Sequence, residues 1–164
     1  MKDLLIIRSV SFQQLDKNLV SILDRFTDHE ISLLTHEHGL LLAQKYKAIN
    51  RVYVYPYKGS FNRKHKVKDF KGKVFDLVII PVTNRTGAGF FNVLMFSLSI
   101  KAKKRIICNV VSDLREISKI DILVMGLKSL LISFLSALFT LIAAIFVMLT
   151  LPLKLIRIQS REKE

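Results

Sequence analysis

Asp76-Leu-Val-Ile-Ile-Pro-Val82 is a continuous apolar run, and Thr83-Asn-Arg-Thr-Gly-Ala-Gly89, which follows it, is polar and carries two glycines. A short, β-branched run without polar alternation is the pattern of a strand buried on both faces, as in a parallel sheet. The chain turns apolar again over residues 90–100, which predicts a helix. Arg105-Ile-Ile-Cys-Asn-Val-Val111 then predicts another strand. The same alternation extends upstream. Leu4-Leu-Ile-Ile7 predicts a first strand, and Leu15, Leu19, Ile22, Leu23 and Phe26 fall at helical spacing, giving an amphipathic helix over residues 13–26. Ile31-Ser-Leu-Leu34 predicts a second strand, residues 39–46 a second helix, and Val52-Tyr-Val-Tyr55, closed by Pro56, a third strand. Residues 58–73 are basic and poor in large apolar side chains, so they predict a loop or a highly solvated helix. Strands alternating with helices give an α/β fold, a Rossmann-like doubly wound parallel sheet of about five strands, over residues 1–120.

The 164 residues include 26 Lys+Arg and 13 Asp+Glu, a net charge of +13, yet 51% of the chain is hydrophobic and mean hydropathy is +0.35. These values are compatible because charge and apolar character are segregated. Residues 129–153 form 25 consecutive uncharged positions. As a helix they would extend roughly 37 Å, against a hydrocarbon core of about 30 Å. Lys128 flanks the near end, and Lys154, Arg157, Arg161 and Lys163 the far end. Residues 121–164 are therefore expected to form a membrane anchor, either a transmembrane helix or a re-entrant one bent at Gly126, Ser133 or Ser136. Basic residues are nearly balanced across it, so the positive-inside rule gives no vote. Only four strongly apolar residues precede Arg8, too few for a signal peptide, which places the soluble part on the cytoplasmic side of an inner membrane.

Residues 1–127 alone carry a net charge of +10, which implies an anionic partner. With an anchor present, that partner is expected to be the lipid bilayer or a lipid-linked phosphate, contacted by Lys64, Lys66, Lys68, Lys128, Lys154 and Arg157. Phe61 and Phe70 interleave the basic run, but no recognition motif accompanies them and no nucleic-acid partner is expected.

Ligands of doubly wound sheets bind beyond the carboxyl ends of the strands. Two loops fall there. The first offers Arg8, Ser9, Ser11 and Gln14, and the second Thr83, Asn84, Arg85 and Thr86 ahead of a helix N-terminus that favours anions. These eight residues are the candidate substrate contacts. No G-x-G-x-x-G follows the first strand, which argues against an NAD or FAD site; no cofactor is expected. His36 and His38 flank Glu37 at a spacing able to hold a metal, but no further ligand cluster is evident and no metal site is expected. His29 and His65 have no evident partners. The single Cys108 is expected to be a buried small hydrophobe. No catalytic residue is identified.

Taken in order, Lys2-Asp-Leu-Leu-Ile-Ile-Arg8, Glu30-Ile-Ser-Leu-Leu-Thr35, Ile49-Asn-Arg-Val-Tyr-Val-Tyr55, Phe75-Asp-Leu-Val-Ile-Ile80 and Lys103-Lys-Arg-Ile-Ile107 resemble the N-terminal domain of heptosyltransferase-like GT-B glycosyltransferases, glycosyltransferase family 9. The resemblance covers about residues 2–110. It implies an acceptor-side domain, since in that family a second Rossmann-like domain binds the nucleotide-sugar. Where the family has a glycine-rich loop with a catalytic Asp, this chain has Ser9-Val-Ser-Phe-Gln-Gln14, with Asp16 nearby but off register. The resemblance thus implies one half of a split enzyme, inactive alone. It is similar in architecture to the two-chain N-acetylglucosaminyltransferase of dolichol-linked oligosaccharide synthesis, with a donor-binding partner chain and a lipid-linked or cell-envelope acceptor. The other expectation is a non-catalytic membrane scaffold recruiting envelope glycan-synthesis enzymes.

Overall fold

The computed structural model describes the backbone of residues 2–161 and the side chains of residues 2–151. The chain divides into two compact units, Met1–Leu123 and Val124–Glu164. The first holds β1 (Lys2–Ile7), α1 (Phe12–Arg25), β2 (His29–His36), α2 (Leu40–Ala43), β3 (Arg51–Tyr55), β4 (Phe75–Pro81), α3 (Phe91–Ser97), β5 (Ala102–Cys108) and β6 (Leu114–Glu116). Strand order is β3-β2-β1-β4-β5-β6. The first five strands pair in parallel, while β6 runs antiparallel to β5, with Ile107 opposite Arg115. The order reverses between β1 and β4, the switch point of a Rossmann-like sheet.

Successive residues of a strand point to opposite faces, and here both faces are covered. Leu4, Ile6, Leu33, Ile79 and Ile106 pack on one side with Leu15, Leu19 and Ile22 of α1 and Ala43 of α2. Leu5, Ile7, Val78 and Ile80 are buried on the other. There Phe96 of α3 meets the ring of Tyr55 at 5.4 Å and that of Phe61 at 5.1 Å. Burial on both faces is why these strands lack polar alternation.

The expected α/β architecture is present with adjustments. A sixth strand is added, too short to leave a period-two signal. Strand β5 starts earlier than its apolar run, because Lys103 and Lys104 are exposed while still paired. It stops at Cys108, ahead of a turn in which Ser112 adopts φ 61°. The second helix shrinks to one turn, since Leu41 and Leu42 face solvent. Residues 58–73 form an irregular segment with a single 3-10 turn at Lys68–Phe70. Phe61 packs on the α3 side of the sheet, Val67 is buried as well, and Phe70 meets Tyr53 at 5.0 Å. The segment thereby takes the place of a crossover helix between β3 and β4.

Asn18, fully buried in α1, donates to Asn109 O at 2.9 Å, Cys108 Sγ at 2.9 Å and Ser112 Oγ at 3.3 Å. Burial pushes the Cys108 thiol up to about 11. At pH 8 the thiolate is therefore scarce, and Cys108 is expected to resist iodoacetamide until the protein is denatured, as read by mass spectrometry. Because the folded value lies above the unfolded one, the stability gained by keeping the thiol neutral is complete below about pH 9 and is lost as pH rises toward about 11.

Helix α4 (Lys119–Arg161) starts with a reciprocal cap. Ser118 N donates to Asp121 Oδ2 at 2.9 Å, and Asp121 N donates to Ser118 Oγ at 3.1 Å. Its stretch Lys119–Leu151 is long and apolar enough to cross a membrane, and none of its most apolar window is buried. Thr140 and Thr150 donate their hydroxyls to Ser136 O and Phe146 O, so neither presents an unpaired donor to the surroundings.

Candidate functional site

At the switch point the carboxyl ends of β1 and β2 open into a cleft of about 460 Å³, lined by Arg8, Ser9, Val10, Ser11, His36, His38, Ser60, Phe61, Gly89, Phe90, Asn92 and Val93. Arg8 leaves β1 where its backbone N–H still donates to Leu34 O of β2 at 2.9 Å. Among the described residues its half-buried guanidinium has only neutral partners. Nε donates to Thr35 Oγ1 at 2.7 Å, Nη1 to Val10 O at 3.1 Å, and Nη2 to His38 Nε2 at 3.3 Å. The plane of charge also lies over the Phe12 ring, 4.6 Å from its centroid. Burial holds Arg8 below the usual guanidinium value, with Tyr46 acting in the opposite direction; it stays protonated at neutral pH. Gly39 makes room for this arrangement. A Cβ there would collide with Thr35 Oγ1 and lie 3.1 Å from Arg8 Nη2.

Because a guanidinium only donates, His38 Nε2 is the acceptor of the Arg8 contact and its proton sits on Nδ1. His36 Nε2 donates to Gly59 O at 2.8 Å, and the two imidazoles stack at 5.6 Å. They form the wall between the cleft and a second recess of about 650 Å³, whose lining adds Glu37, Tyr55, Pro56, Tyr57 and Lys58. Tyr57 stacks on His65 at 4.0 Å, and His65 Nδ1 bonds the Tyr55 hydroxyl. His65, which the sequence left without a partner, thus braces the aromatic floor of the basic segment. His29 packs edge-on against Phe26 at 5.4 Å.

The eight expected contact residues divide. Arg8, Ser9 and Ser11 line the cleft. Ser9 donates to Pro81 O of β4, and Ser11 caps α1 by accepting from Gln14 N at 3.3 Å. Gln14 itself turns to Asn18 Oδ1 and Val110 O, each at 3.1 Å, tying α1 to the β5–β6 turn. The second loop contributes Gly89 to the lining, followed by Phe90, Asn92 and Val93. Asn84 is spent on the loop itself, accepting from Gly87 N at 2.6 Å and Thr86 N at 3.2 Å and donating to Ala88 O. Gly87 and Gly89 sit at φ 82° and 81°, a conformation that favours glycine. Thr83, Arg85 and Thr86 are exposed outside the lining set.

Of the expected membrane contacts, Lys64, Lys66, Lys68 and Lys128 are all exposed. The side chains of Lys154 and Arg157 lie outside the described residues. Among the described residues no cluster of three or more His, Cys, Asp or Glu could hold a metal.

Chemically, the cleft offers a cation, imidazoles, hydroxyls and an amide, and its lining holds no Asp or Glu. Asp16 accepts from the Tyr46 hydroxyl, away from the cleft; burial, reinforced by that hydrogen bond, pushes the Tyr46 phenol up to about 12. Such a lining suits binding of a phosphorylated or otherwise anionic group more than general-base chemistry within the first recess. Gly39 and Ser60 escaped the sequence reading, whereas His38 and Phe61 were noted there in other settings, a metal-like spacing and a basic run. The one available signal was the position of His36-Glu-His38 at the carboxyl end of the strand expected beside β1. No protein-family model matches the chain, and neither a curated protein nor a solved structure matches it significantly.

Proposed function

We propose that the chain is the membrane-attached acceptor side of a GT-B-like glycosyltransferase. In this reading it holds an anionic group of a lipid-linked or cell-envelope acceptor at Arg8, while a separate chain binds the nucleotide-sugar. The observation that carries the reading is the half-buried Arg8 at the switch point, whose hydrogen-bond partners among the described residues are all neutral. A guanidinium removed from water without a counter-ion gains from an oxyanion that replaces its lost hydration. The second recess, with Tyr57 and Glu37 on its walls, supplies an aromatic face and an acceptor for sugar hydroxyls. The absence of a carboxylate from the first recess supports a need for a partner in the chemical step.

The test is sugar transfer from radiolabelled nucleotide-sugars onto lipid extract, with the full chain in detergent. The chain alone is expected to transfer nothing, and transfer is expected when a donor-binding chain is added. Robust transfer by the isolated chain would overturn the half-enzyme reading. If Arg8→Ala and Ser11→Ala leave glycan product unchanged in cells, with the protein still in the membrane fraction, the non-catalytic scaffold replaces it.

A further inference from the structure

A third cavity, of about 320 Å³, lies at the opposite end of the sheet, between the end of α3, the start of β5 and the first residue of α4. Its lining includes Val74, Leu98, Lys101, Lys103, Arg105 and Lys119. Arg105 is the unusual member. It projects from β5 and is only 4% exposed. Its Nε and Nη2 donate to Ser97 O at 3.2 and 3.1 Å, and Nη2 also to Ile100 O at 2.7 Å. Those carbonyls close the C-terminal end of α3 and offset part of the charge. No carboxylate pairs with Arg105 among the described residues, and its Nη1 has no protein acceptor there. Burial alone lowers its pKa. A buried cation without a counter-ion is costly, and this one lines an open cavity.

The surrounding charges have the same sign. Lys101 and Lys119 have no carboxylate partner among the described residues, whereas Lys103 is paired with Asp76 at 2.6 Å. The cavity therefore presents a buried guanidinium and two unpaired ammonium groups, with Val74, about half exposed, and Leu98 as an apolar wall. An inorganic anion would use the charges and leave that wall wet. A phospholipid uses both. Lys119 is also the first residue of the helix that carries the membrane-crossing stretch.

We propose that this cavity is a headgroup site for an anionic phospholipid, its phosphate seated among Arg105, Lys101 and Lys119 and its glycerol and first acyl carbons against Val74 and Leu98. The site is separate from the Arg8 cleft and holds whether or not the glycosyltransferase reading does.

The experiment titrates phosphatidylglycerol, phosphatidylcholine or inorganic phosphate into the full chain in neutral detergent. Bound lipid is counted by native mass spectrometry, and hydrogen exchange is followed across residues 97–105. Phosphatidylglycerol is expected to bind at one site and to slow exchange in that segment; phosphatidylcholine is not. Lys101→Gln and Lys119→Gln are each expected to weaken phosphatidylglycerol binding roughly fivefold, the factor for one basic side chain beside an anionic lipid surface. Being exposed, both lysines can be replaced without disturbing the fold. The triple variant Lys64→Gln, Lys66→Gln, Lys68→Gln should leave this binding intact. Equal loss in that variant would reduce the effect to net charge and overturn the site. Equal protection of residues 97–105 by inorganic phosphate alone would overturn the lipid assignment, and no protection by any of the three would overturn the proposal.

Discussion

Arg8→Ala is expected to weaken binding of inorganic phosphate, and of a short-chain isoprenyl phosphate, by roughly 10- to 150-fold in Kd. That range corresponds to the ~1.5–3 kcal/mol of one hydrogen bond to a charged group. Isothermal titration calorimetry on the full chain in detergent reads it directly. The fold should survive, because Arg8 lies beyond the end of β1 and its partners Thr35 Oγ1, Val10 O and His38 Nε2 are neutral. Arg8→Lys should recover only part of the affinity. An ammonium keeps the charge but cannot serve Thr35, Val10 and His38 together from one planar group. Gly39→Ala gives the sharper result, because it leaves every functional group in place. Its added methyl would collide with Thr35 Oγ1 and crowd Arg8 Nη2, so Thr35 must turn away and the guanidinium loses the acceptor that seats its Nε. Affinity should fall nearly as far as in Arg8→Ala while the circular dichroism spectrum is unchanged. Unchanged affinity in both variants would remove Arg8 from the ligand site.

The contrast between Arg8 and Gly39 shows where sequence patterning stops. Strands β1, β2, β4 and β5 were legible because burial on both faces leaves apolar runs such as Leu4–Ile7 and Leu77–Ile80, the edge strand β3 because Val52-Tyr-Val-Tyr55 is β-branched and aromatic, and Arg8 because it follows the first of these runs. Gly39 and His38 reach Arg8 only because β2 lies beside β1, a relation spread over some 30 residues of chain with no local signature. Ser60 and the burial of Phe61 were hidden for another reason. Their segment is so rich in lysine that it looked wholly solvated, while Phe61 and Val67 are buried. The loop at residues 83–86 has a structural use that its sequence pattern does not show. Hydroxyls, an amide and a guanidinium before a helix resemble a ligand loop, but Asn84 closes them into a turn of their own. Helix α2 is shorter than its apolar run predicts because of burial: Leu40, Leu41 and Leu42 are apolar enough, yet Leu41 stands exposed among the described residues.

The triple substitution Leu138→Arg, Leu141→Arg, Ala144→Arg is expected to move the protein from the carbonate-washed membrane pellet to the supernatant or to aggregates. Leu141→Arg alone should leave it in the pellet. Magnitudes decide between the two. Residues 129–153 contain 15 Leu, Ile, Val and Phe. At about −0.3 to −0.6 kcal/mol each, these favour insertion by roughly 4.5 to 9 kcal/mol. One arginine near the centre costs about 2.5–3.5 kcal/mol and is outweighed, whereas three cost about 7.5–10.5 kcal/mol and remove two leucines as well. Leu138 and Leu141 are exposed on α4, so their replacement breaks no packing within the chain and the readout isolates transfer into lipid. Release by the single substitution would mean the helix is held by something weaker than insertion, such as an interfacial helix or a partner. Retention of the triple variant in the pellet would mean the bilayer attachment lies elsewhere, with the basic surface around Lys64, Lys66 and Lys68 the first place to look.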